Sequence, residues 1–221
     1  MHEPVELGRG TVVSVNVGRP RPVDHNGEAA TTAIWKAPVS GRVVAQGVNL
    51  EGDEQADRSV HGGYDKAVYA YAVEDTRWWE TRLHRTIGPG GFGENLTVEG
   101  LELVACVVGE RWTVGTCVLE VSEPRLPCWK LGVRMDDPRF PQRFTRARRP
   151  GTYLRIVEPG DLGAGDVVRV VARPEHRVTV GDIWRVYHRD RHEAAALLEV
   201  PQLGESWRRW AEGRVRRMAE S

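Results

Sequence analysis

The sequence predicts a mainly β protein with helices, an α+β chain built as a closed or nearly closed β-barrel followed by a C-terminal three-helix unit. Three observations predict it. Between Gly10 and Ala172, short runs of strand-forming residues, several with period-two alternation, are punctuated by glycine and proline. Strands so numerous and so short fit a closed sheet. After Ala172 the spacing of large apolar residues becomes helical. Finally, 221 residues of which 40% are apolar can bury a proper core, as one mid-sized domain or one domain with an appendage.

In chain order, the expected strands are "TVVSVNV", "AATTAIW", "RVVAQGV", "AVYAYAV", "RWTV", "CVLEVS", "TYLRIV" and "DVVRVVA". The glycine-bearing turns in "VVGERWTV" and "GAGDVVRV" lead straight into strands, as tight barrel connections do. Helix is expected at "EDTRWWETRL" and, more briefly, at "DPRFPQRFTRA", where Pro138 occupies a first-turn position and its missing N–H costs little. A boundary near Arg173 divides a barrel domain, residues 1–172, from a helical unit, residues 173–221. The tail helices are "TVGDIWRVYHRD", "DRHEAAALLEV" and "ESWRRWAEGRVRRM", with Thr179–Asp182 and Asp190–Glu193 spaced as capping boxes. Trp184, Trp207 and Trp210 are expected to form the small core of that unit.

Lysine plus arginine equals aspartate plus glutamate at 31 each, so no global field favours nucleic acid or an anionic membrane. No apolar stretch is long enough to cross a bilayer, and the N-terminus shows no basic-then-apolar leader, so a cytoplasmic protein is expected. The uninterrupted arginines of "PRFPQRFTRARRP" form either an exposed segment or the rim of an anion-binding mouth.

Three cysteines without a Cys-x-x-Cys pair indicate neither a disulfide framework nor a thiolate zinc knot. Cys106 and Cys117 lie among valines, where a thiol behaves as a small hydrophobe. Cys128 differs. In "EPRLPCWKL", Pro124 and Pro127 end the preceding strand and force a rigid turn, after which Cys128 opens a helical turn with Arg125 and Lys130 nearby. Such surroundings favour a thiolate, and a buried structural cysteine is the other reading.

Two further patches are dense in polar residues. "LEGDEQADRSVHGGYDKAV" places Asp53, Glu54, Asp57, His61 and Asp65 around Gly62-Gly63, a step that leaves room for a ligand near the main chain. The carboxylates match no EF-hand or zinc-protease spacing, and binding of backbone amides is their other reading. "GPGGFGENLTVEGL" brackets Glu94-Asn95 with glycines, a loop shaped for something close to its backbone, without the context of a dinucleotide or phosphate loop.

Taken together, "AIWKAPVSGRV", "LEGDEQADRSVHGGYDKAVYAY", "GFGENLTVEGL" and "VSEPRLPCWKL" resemble, in order, the MOSC domain family, named for the C-terminal domain of molybdenum cofactor sulfurases. The resemblance is closest to its stand-alone bacterial YiiM-type members, and with the later strands and helical tail it covers nearly the whole chain. It implies a β-barrel whose pocket holds the molybdenum cofactor (molybdopterin), with a cysteine as metal ligand or as persulfide carrier. On this sequence that cysteine is Cys128. Lys36, His61 and Arg125 match basic and polar pocket positions, Asn95 lies in the glycine-rich loop, and Gly62 and Gly63 adjoin His61. A soft molybdenum centre suits a thiolate, and the cofactor's phosphate suits Lys36 and Arg125.

The implied activity is reduction of N-hydroxylated compounds, such as hydroxylaminopurine-type base analogues, to amines. No flavin or iron–sulfur motif is visible, so an external reductase is expected as electron donor, with neither nucleic acid nor membrane as partner. The alternative is a sulfur carrier or cofactor-binding module in which Cys128 bears a persulfide.

Overall fold

A computed structural model describes residues 7–55 and 62–220. The strands are β1 Arg9–Val17, β2 Arg21–His25, β3 Glu28–Thr32, β4 Ala37–Pro38, β5 Arg42–Gln46, β6 Asn49–Leu50, β7 Val68–Ala72, β8 Leu96–Glu99, β9 Arg111–Val114, β10 Cys117–Glu123, β11 Thr152–Glu158, β12 Gly160–Gly163 and β13 Val167–Ala172. The helices are α1 Val73–Leu83, α2 Trp129–Met135, α3 Phe140–Ala147, α4 Val180–His188, α5 Ala194–Leu197 and α6 Glu205–Ala219.

The main sheet runs β13-β9-β10-β11-β7-β8-β1 and closes on itself where β1 pairs β13, with Gly10 opposite Val168. Seven strands thus form a barrel, and β4 adds to β1 as an extra strand. Closure removes the unpaired edges that a sheet of this size would otherwise expose. The pair β7–β8 is parallel, and α1 lies in the crossover between them. Val12, Val15, Val98, Trp112, Val114, Leu119, Val121 and Val168 fill the interior, each wholly buried. Burial is what the alternation in these strands secures, at about 25 cal/mol per Å² of apolar surface withdrawn from water.

Each expected strand is present, although "AATTAIW" stops at Thr32, whose hydroxyl accepts from the Ile34 amide at 3.2 Å and turns the chain. Strands β2, β4, β6, β8 and β12 were not expected. Strand β8 follows directly on the glycine-rich loop, and β12 is "GDLG", a poor strand former held by its pairing with β5. Pro138 does not open α3. The Arg139 amide donates to the Asp137 carboxylate at 2.8 Å, so a turn comes first, and Pro141 takes the first-turn position.

In the tail, Thr179 and Asp182 make the expected capping box. Asp190 and Glu193 do not, because both carboxylates are taken by Arg185, at 2.6 and 2.7 Å, and a 3-10 turn leads into the short α5. The tryptophans also divide. Trp207 and half-buried Trp210 belong to the tail's cluster together with Val108 of the barrel, whereas Trp184 packs with Trp79, Phe140 and Phe144 against the barrel's outer face. Arg155 of β11 donates to the Gln202 carbonyl at 2.8 Å, and the Val108 amide to that of Val178 at 3.0 Å. We propose that the division at residues 172 and 173 marks where strands give way to helices, and not where packing stops.

Candidate functional site

The extended residues after β3, the turn after β6 and the segment after β10 meet at one cavity of about 100 Å³. Lys36, Asp53, Asn95, Arg125, Cys128 and Tyr153 line it, so four expected pocket residues, Lys36, Asn95, Arg125 and Cys128, are brought together with the loop carboxylate Asp53 from positions up to 92 apart. Gly62 and Gly63 are not among the lining residues, although Gly63 has a left-handed φ of 97° that explains the glycine. His61 and Asp57 lie outside the described residues.

Cys128 is where the proline turn meets α2. Its extended backbone, φ −128° and ψ 179°, makes it the N-cap, and its carbonyl accepts from the Leu131 amide at 3.0 Å. The side chain is half-buried and reaches the cavity. Cys106 and Cys117 are 6% and 1% exposed, and burial pushes both thiols up, Cys117 to about 11. A neutral thiol is a weak nucleophile and a poor metal ligand. Trp129, next to Cys128, stacks on His25 of the β2–β3 hairpin with centroids 4.1 Å apart.

Arg125 is 6% exposed and lies over the Tyr69 ring at 5.1 Å. Burial opposes its charge, but Tyr69, Tyr153 and Cys128 face it, and its value stays above the ordinary one. Its Nη1 has no hydrogen-bond partner. Leaving a buried donor unmade costs on the order of 1–3 kcal/mol, more when charged, so the atom suits an incoming acceptor.

Lys36 is in a different state. Its Nζ lies 2.5 Å from each oxygen of Asp53, which is 6% exposed and also accepts from the Gly18 amide at 2.8 Å and from Asn95 Nδ2 at 2.9 Å. Burial pulls the Lys36 amine down from its ordinary value while Asp53 holds it up. The reading of loop carboxylates as partners of backbone amides thus applies to Asp53, and the fuller role, counter-ion to Lys36, left no spacing signal. Asn95 is equally committed, its Oδ1 accepting from the Tyr69 amide at 3.1 Å. Lys36 and Asn95 shape the cavity, whereas Arg125 keeps one donor unused.

The glycine-rich loop is indeed shaped for a close neighbour, and that neighbour is the chain itself. A Cβ on Gly90, φ 77°, would lie 2.5 Å from the Lys36 carbonyl oxygen, and one on Gly93, φ 80°, 2.8 Å from Ile34 Cγ1. Glu94, wholly buried, ties the loop by accepting from the Gly90 and Phe92 amides and the Thr97 hydroxyl at 2.6, 2.9 and 2.9 Å. The loop therefore fixes the height at which Lys36 crosses the barrel mouth. The arginine run serves elsewhere: Arg146 and Arg148 line a separate cavity with Arg185 and His188 of α4.

Among the described residues no three of histidine, cysteine, aspartate and glutamate gather at metal-binding distance. A metal held here would have to bring most of its own ligands. One cysteine sulfur sharing a cavity with a buried guanidinium that has an unused donor fits an anionic complex of that kind.

Comparison with known proteins agrees with this architecture. The MOSC domain matches residues 57–169, and the YiiM-like, 3-alpha helix domain matches residues 178–217. The chain is 34% identical over 203 residues to the uncharacterized protein YflK of Bacillus subtilis, covering 90% of this chain and 92% of that one. It is 32% identical over 200 residues to a protein of Gibberella moniliformis named reductase, covering 88% of this chain but 35% of the fungal protein. The crystal structure of YiiM from Geobacillus stearothermophilus superposes with a TM-score of 0.78 at 31% identity, covering 93% of this chain and 98% of that one. With a family match over half of its length, a relative 34% identical along nearly the whole chain and the same seven-strand barrel and helical tail, the chain belongs to the MOSC domain family, in its YiiM-type form.

Proposed function

We propose that the protein binds the molybdenum cofactor through Cys128 and reduces N-hydroxylated compounds to amines with electrons from an external reductase. The observation that carries this reading is the buried Arg125 guanidinium, one donor unused, lining the same cavity as the half-buried Cys128 thiol. The name of the fungal relative, reductase, supports the reaction class.

When bound, the cofactor supplies a metal centre able to accept oxygen from an N–OH group and to be returned to its reduced state by two electrons. The chain supplies the rest. Cys128 offers the soft ligand, and the proline turn with the α2 N-cap fixes where its sulfur stands. Arg125, with Nη1 unused, would donate to an anionic oxygen of the cofactor, where low dielectric makes a charge-assisted bond strong. Asp53, by holding Lys36 and Asn95, keeps the cavity lining from collapsing onto that donor. Tyr69 and Tyr153 stay neutral, burial raising both and Tyr153 to about 12, so they add apolar wall and no charge. The overall reaction breaks the N–O bond of R–NH–OH, consumes two electrons from the reductase and two protons, and releases the amine and water.

The test is elemental analysis with X-ray absorption on protein made in a cofactor-competent host. Equimolar molybdenum with a protein sulfur ligand that Cys128→Ala removes is the expected result. Metal-free protein carrying sulfane sulfur on Cys128 would replace this reading with that of a sulfur carrier.

A further inference from the structure

A second cavity of about 230 Å³ adjoins the first and is built differently. Lys66, Leu126 and Tyr153 line both, so the two are neighbours across a shared wall. Beyond that wall the lining comes from the tail: Tyr187 of α4 and Trp207 and Trp210 of α6. Tyr187 sits 5.2 Å from Trp207 and 5.1 Å from Trp210, centroid to centroid. Tyr187 and Trp210 are only half-buried, so each turns part of its surface to open volume.

One carboxylate stands in this aromatic surround, beside Lys66. Glu123, at the end of β10, is 2% exposed; its Oε1 lies 3.6 Å from Lys66 Nζ, and its Oε2 makes no hydrogen bond of normal geometry, the Trp207 side chain acting only as a weak donor to the carboxyl. A buried carboxyl oxygen without a donor is costly, and the feature that relieves it is an N–H. Aromatic faces plus one acceptor, at the edge of a redox cavity, describe a site for a flat ring bearing an N–H.

We propose that this second cavity is the substrate annex: the ring of an aromatic N-hydroxylated amine packs against Tyr187, Trp207 and Trp210, a ring or amino N–H donates to Glu123 Oε2, and the N–OH end extends past Lys66, Leu126 and Tyr153 toward Cys128. The assignment rests on the proposed reduction only for the identity of the reacting group. The aromatic preference and the Glu123 contact follow from the cavity itself. The annex also assigns the helical tail a task, since without α4 and α6 the barrel would present Glu123 and Tyr153 to solvent in place of an aromatic wall.

The experiment is isothermal titration of cofactor-free protein with 6-aminoquinoline, a flat aromatic amine, and with cyclohexylamine, its saturated counterpart, followed by a crystal soak with the quinoline. Saturable binding of 6-aminoquinoline and none of cyclohexylamine is expected. Trp210→Ala should weaken binding about tenfold, as loss of one aromatic partner does, Trp210→Phe should keep most of it, and Glu123→Gln should weaken it several-fold. Unchanged affinity in both Trp210→Ala and Glu123→Gln, equal affinity for the two amines, or quinoline seated elsewhere in the crystal would overturn the annex. Molybdenum content measured on the same variants separates the two readings. Normal loading with no quinoline site sinks the annex alone, and quinoline binding as described in a chain that never acquires molybdenum sinks the reductase and leaves the annex standing.

Discussion

Replacing Asp53 with asparagine removes the partner of a buried ammonium, and the size of the effect can be worked from four bonds. The Asp53 carboxylate accepts from Lys36 Nζ through both oxygens, from the Gly18 amide and from Asn95 Nδ2. Asparagine retains one oxygen, so its new NH2 must face either Lys36 or Asn95, both donors. The Lys36 side chain is 10% exposed and cannot turn to water without moving. Breaking a buried pair by removing one partner costs about 3–5 kcal/mol. Burial already pulls the Lys36 amine down, so Lys36 will shed its proton and bring the cost toward the lower figure. At roughly 2–4 °C per kcal/mol for a chain of this size, the melting temperature should fall by about 6–20 °C. Thermal melts at pH 7 read this directly. Lys36→Met combined with Asp53→Asn should cost less than the two single changes summed, by at least about 1 kcal/mol. A fall within about 2 °C, or strict additivity, would refute the account of a coupled pair under the cavity.

Alkylation at near-neutral pH should modify Cys128 first, since Cys106 and Cys117 are buried with raised thiols; peptide mapping that shows either of them labelled as fast in folded protein counts against this. Glu123 is held at about 7 by burial, against the pull of Lys66, from an ordinary value of 4.5. Its raised value favours the fold below pH 4.5, and that favour is lost as pH climbs through 7, so Glu123→Gln should gain on the wild type by about 3 kcal/mol between pH 4.5 and 8 in urea melts, and parallel pH profiles would contradict it. A chain ending at residue 172 exposes Val108, strips Trp184 from the Phe140–Phe144 layer and leaves wholly buried Glu110 without Arg173, 2.6 Å away. It should lose the sharp melting transition of the full chain in calorimetry, and a barrel that melts as cooperatively alone would show the tail to be dispensable to it.

The parts of the fold visible in the sequence are those whose information is local. Valine-rich alternation gave the barrel strands, and Thr179 with Asp182 gave the start of α4. Strand β12, "GDLG", carries no such signal because its pairing with β5 is what makes it a strand. Asp190 and Glu193 mislead for the same reason, since Arg185 outbids the backbone amides for them. In the site, Cys128 and Arg125 are legible through the rigid turn that holds them. Lys36 reads as an available cation until Asp53, 17 positions on, is seen beside it. Glu123 was missed because a glutamate ending a strand looks solvated, and the aromatic residues that enclose it come from the tail, 64 to 87 positions later.

The polar lattice under the cavity has a consequence for how the molecule is made. Ser14 binds Asn16, Asn16 binds Thr97, Thr97 binds Glu94, and Asn95 joins Asp53 to the backbone of β7. No two neighbouring segments of the chain can assemble this lattice, because its members span β1, the β6 turn and the start of β8, and the cavity then needs Arg125 and Tyr153 as well. During synthesis, the cavity therefore has no complete lining until β11 has emerged and paired. Such distant pairings form late, after loop closure has been met. The cavity beside Cys128 is thus a product of folding and not a guide to it, and the hairpin β2–β3, which touches the barrel mouth through His25 on Trp129, is the local element that stands over its edge.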